Sequence, residues 1–70
     1  MSQASEHRVL GRAPETISMN EIIEFEHAGR TWRGEVHGIY DQHVIALVNG
    51  NNQRVKYSQI WEEKNTVAKL

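Results

Sequence analysis

His37, Asp41 and His43 lie close together in the chain and carry the side chains of a metal or acid–base site. Zinc needs three or four such donors converging at ~2 Å. A turn centred on Asp41–Gln42 puts His43 opposite Tyr40 and leaves His37 nearly a full pairing repeat away, so the imidazoles do not converge. No His-x-His or His-x-x-x-His spacing occurs. Ser58, in "KYSQI", stands where a serine starts a helical turn and has no glycine-rich elbow around it. There is no cysteine, which removes thiol nucleophiles, disulfides and thiolate zinc together. The carboxylates of Glu24 and Glu26 alternate along one stretch, the pattern of a solvated strand face. No catalytic residue, metal or cofactor is expected.

Aromatic and guanidinium groups are the more informative equipment. Trp32 is flanked by Arg30 and Arg33, Arg54 and Lys56 alternate on a later segment, and Tyr40 and Trp61 complete the set. Trp, Tyr and Arg dominate protein-binding hot spots, and they also make stacking platforms for single-stranded nucleic acid. The expected partner-binding residues are therefore Arg30, Trp32, Arg33, Tyr40, Arg54, Lys56 and Trp61. A small core competes for Tyr57 and Trp61, and Trp32 stands between the two roles.

These residues need a scaffold, and the periodicity supplies one. "MNEIIEFEH" (19–27) alternates, with Ile23 and Phe25 inward and Glu24 and Glu26 outward. "HAGR" turns the chain through Gly29. "TWRGEVHGIYD" reads as a long strand with Trp32, Gly34, Val36, Gly38 and Tyr40 on one face. Two glycines in one strand imply a sharp bend or the close approach of a neighbour. "HVIALV" (43–48) is an apolar strand, "NGNN" (49–52) a hairpin turn, and "QRVKY" (53–57) alternates again. "SQI" (58–60) reads as one helical turn that drops Ile60 into the core, and "WEE" (61–63) returns to pair with the first strand. Residues 1–18 are polar, with at most a short helical turn ended by Gly11 and Pro14. They read as a flexible N-terminal arm, or as one that orders on a partner, and 64–70 read as a tail.

The predicted fold is all-β: one five-stranded SH3-like barrel over 19–63, with a helical turn before the last strand. An OB-fold is the rival, but it wants longer strands. With 70 residues the chain holds one domain with a marginal core. Eight Lys and Arg against nine Asp and Glu give a net charge of −1. A nucleic-acid binder usually carries a basic surplus, and this chain has none. No apolar run approaches a membrane span or a secretory signal, so a cytoplasmic monomer or small homo-oligomer is expected.

"G-x-V-x-G-I-Y" (34–40), "V-I-A-L-V" (44–48) and "R-V-K-Y-S-Q-I" (54–60) resemble, in that order, the bacterial SH3-like small barrels. KOW and Tudor-like modules and the Veg family are the patterns they are similar to, over about residues 20–62. The resemblance implies a binding module and names no ligand. The basic cluster that carries RNA contacts in KOW modules is not matched here. The resulting expectation is a non-catalytic protein-interaction module, a small regulator or inhibitor of a larger complex. The alternative is a KOW-type module binding RNA or DNA.

Overall fold

The computed structural model describes residues 6–65. The strands are β1 (Glu6–Leu10), β2 (Ile22–His27), β3 (Arg30–Ile39), β4 (His43–Val48), β5 (Asn51–Lys56) and β6 (Trp61–Asn65). Two 3-10 turns, Pro14–Thr16 and Tyr57–Gln59, precede β2 and β6. β2, β3, β4 and β5 form an antiparallel meander in that order, while β1 and β6 pair as a separate two-stranded ribbon. β6 therefore does not add a full strand to β2. The two sheets meet at one bridge, Phe25 opposite Ile60.

This corrects the five-stranded barrel. Among the described residues there are six strands in two sheets, and the extra strand comes from the expected arm. "EHRVL" forms β1 rather than a helical turn, with Arg8 opposite Glu63 and Leu10 opposite Trp61. With three polar residues, one β-branched Val9 and Leu10, this pentapeptide carries little strand signal of its own and takes the strand because β6 is in reach as a partner. Gly11, at φ 112°, ends it, and its N–H donates to the Ile60 carbonyl at 2.7 Å. The Arg12 N–H then donates to the Tyr57 carbonyl at 3.0 Å. Ile17, also within the expected arm, is buried in the core. Residues 1–5 and 66–70 of the arm and tail lie outside the described residues.

The core is the inner face of the meander plus two plugs. Ile23, Phe25, Val36, Val44, Ala46 and Val55 come from the strands, and Ile17 and Ile60 from the segments that follow the two 3-10 turns. Trp32, Val48 and Tyr57 pack against it, half-buried. Two of the meander's three hairpins, β2–β3 and β4–β5, have left-handed turns, Ala28–Gly29 (φ 54° and 76°) and Asn49–Gly50 (φ 52° and 82°), which match the twist of the flanking strands. The two glycines of β3 serve different ends. A Cβ on Gly34 would lie 2.8 Å from Val48 Cγ2 and 2.9 Å from the Leu47 carbonyl oxygen, so β4 crosses it closely. Near Gly38 the register with β4 slips between Val36 and Gly38, making His37 the extra residue of a bulge.

Candidate interaction surface

The predicted binding residues divide into four groups. At the hairpin-tip end of the meander, Arg30 Cζ lies 5.0 Å from the centre of the Trp32 ring. The Trp32 indole N–H donates to the His27 carbonyl at 2.9 Å, so this side chain is both core cover and pocket wall. At the other end of β3, exposed Tyr40 stacks on His43, ring centres 5.2 Å apart, and its carbonyl accepts the Tyr57 hydroxyl. Eight positions of strand separate Trp32 from Tyr40, so they are not one patch.

The third group is a network on the outer face. Trp61, half-buried on β6, lies under the Arg8 guanidinium at 4.9 Å. Its indole N–H donates to Glu26 Oε2 at 3.2 Å. Arg8 Nη2 also pairs with Glu24 Oε1 at 2.7 Å, and Arg33 Nε lies 3.6 Å from the second oxygen of Glu24. Arg12 Nη1 holds Glu21 Oε2 at 2.8 Å. For Glu21, burial raises the pKa. The Ser18 N–H and the Arg12 guanidinium outweigh it and hold the carboxyl below its ordinary value.

Arg33 and Trp61 thus share a surface that Arg30, Trp32 and Tyr40 do not join. A groove of about 440 Å³ between ribbon and sheet is lined by Arg8, Arg12, Ile22, Glu24, Arg33 and Trp61, among others. A second concavity of about 350 Å³ adjoins it, lined by Ile22, Arg33, Gly34, Glu35 and Leu47. Ile22, 52% exposed, lines both. Arg8, Arg12, Ile22 and Leu47 were not expected in a site. Arg8 and Arg12 fell in the supposed arm. The exposed isoleucine in "NEIIEFE", out of phase with the core positions Ile23 and Phe25, was the available signal for this face.

Arg54 and Lys56 stand apart again, both exposed on β5. Among the described residues neither has an ion pair, in contrast to Arg8, Arg12 and Arg33. Of the residues first suspected of chemistry, His37 lies 3.7 Å from Glu35 and His43 against Tyr40. No helix among the described residues is long and apolar enough to cross a membrane. No family model, curated protein or solved structure matches the chain.

Proposed function

We propose that this chain is a non-catalytic protein-interaction module on an SH3-like frame, in which β2–β5, the Tyr57–Gln59 turn and the start of β6 stand for the barrel, and that it acts as a small regulator of a larger complex. One observation carries the reading: two adjoining concavities share exposed Ile22 and Arg33. Ile22, Leu47 and the Trp61 ring give the surface its apolar side chains, and Arg8, Arg33, Glu24 and Glu35 give it charges of both signs. That is the composition of a protein interface, where aromatic and arginine groups accompany apolar ones. A nucleic-acid surface needs uncommitted cations. Here three of the arginines are held by Glu21 and Glu24.

The test is affinity capture with the full chain and with Ile22→Asp as parallel baits, followed by titration of each captured protein. A protein bound by the wild type should lose at least about tenfold in affinity to Ile22→Asp, since a charge at the centre of an interface is left desolvated. Its binding should change little between about 50 and 200 mM salt. A nucleic-acid ligand making six to ten phosphate contacts would lose about 10³–10⁵ over that range, and that result would replace this reading with the KOW-type one.

A further inference from the structure

The meander has an edge at β5, and the side chain of Gln59 reveals what fits beside it. Gln59 Oε1 accepts the backbone N–H of Lys56 at 2.9 Å. Its Nε2 donates to the backbone carbonyl of Glu26 at 2.8 Å. One side-chain amide thus spans from the edge of β5 to the edge of β2, making the two bonds that the backbone of an intervening strand would make. Two such bonds and an amide set the gap at about two strand spacings, room for one strand.

Lys56 N–H points away from β4, so by the period of two the backbone groups of Arg54 and Asn52 point away as well. They face the continuation of the same gap toward the hairpin tips. There lies a cavity of about 350 Å³ lined by Phe25, His27, Trp32, Val48, Asn51 and Gln53, among others. Asn51 and Gln53, inner-face residues of β5, line this cavity. On the opposite face, Arg54 and Lys56 stand two residues apart, without ion pairs among the described residues.

The geometry points to β5 as a strand-addition site for an extended, acidic segment of a partner protein. This rests on the protein-interaction reading and adds a second surface to it. The partner backbone pairs with Asn52 and Arg54 beyond the point where Gln59 stops. Its side chains alternate. Carboxylates at every second position, opposite Asn52 and Arg54, are offered to the Arg54 and Lys56 cations, and apolar groups at the positions between enter the cavity walled by Phe25, Trp32 and Val48. A second copy of β5 is a poor occupant, because antiparallel pairing would bring Arg54 and Lys56 of two chains together. A nucleic acid meets the cations but has no row of amides for the edge.

The uniformly 15N-labelled chain is titrated with a synthetic peptide alternating Glu and Val, with its Lys–Val counterpart, and with a single-stranded oligonucleotide. The Glu–Val peptide should bind and shift the amides of Asn52 and Arg54 together with the Trp32 indole signal. Arg54→Glu should weaken it about tenfold and turn the preference toward the Lys–Val peptide. Ile22→Asp should leave it unchanged. Equal binding of the two peptides, shifts confined to the Ile22–Arg33 face, or tighter binding of the oligonucleotide would overturn the assignment, as would concentration-dependent shifts of Asn52 and Arg54 without peptide. A captured partner protein sensitive to Ile22→Asp and indifferent to Arg54→Glu would sink the edge while leaving the interaction module standing.

Discussion

At the level of single residues, the two glycines of β3 look alike in sequence and differ in consequence. At Gly34 an added methyl meets the Leu47 carbonyl and Ala46 Cβ as well as Val48, and backbone gives way poorly. Gly34→Ala should cost about 1–3 kcal/mol. At Gly38 the nearest atoms all belong to the ring of exposed Tyr40, which can swing outward. Gly38→Ala should stay within about 1 kcal/mol, because a lower unfolded-state entropy offsets the displaced ring. Urea denaturation of the two variants decides the matter. Equal losses would mean that strand bending, rather than the crossing of β4, is what both positions serve.

At the level of elements, the Tyr57–Gln59 turn does more than deliver Ile60. Its Gln59 amide holds the edge of β5 to the edge of β2. Gln59→Ala removes both bonds at a half-buried position and should destabilise the fold by about 1–3 kcal/mol. It should also raise hydrogen exchange at Lys56 selectively. Uniform acceleration across the meander would instead mean that the turn contributes only through Ile60. The β1–β6 ribbon is the other element that matters, since it brings Arg8 and Trp61 to the outer face of β2.

At the level of the whole molecule, the junction of the N-terminal segment with the sheet depends on a charge. Glu21 has its carboxyl held below its ordinary value in the folded chain. A carboxyl so lowered adds stability above its unfolded pKa, and that increment is lost as pH falls through the folded one. Stability should therefore decline as pH drops below about 4.3, the unfolded glutamate value. Glu21→Gln should flatten part of that decline, as read from denaturation midpoints at pH 3 to 6. An unchanged slope would assign the acid sensitivity to the other carboxylates. The Ser18 N–H and the Arg12 guanidinium together hold that charge, and Arg12 also bonds the Thr16 carbonyl while its own backbone N–H donates to the Tyr57 carbonyl.

The amino-acid sequence alone determined the meander. The period of two set Ile23, Phe25, Val36 and Val55 inward, and the turn chemistry at Ala28–Gly29 and Asn49–Gly50 set the hairpins, because these are local steric preferences. The helical turn before Ile60 was equally legible. What only the tertiary structure decided was the partner of each remaining segment. "EHRVL" is too short to declare itself, and it became a strand because β6 offered it an edge. The same long-range pairing set Arg33 and Trp61 on one surface and sent Trp32, Tyr40 and the pair Arg54–Lys56 to three others, since side chains distant in the chain meet only where the sheets curl and cross.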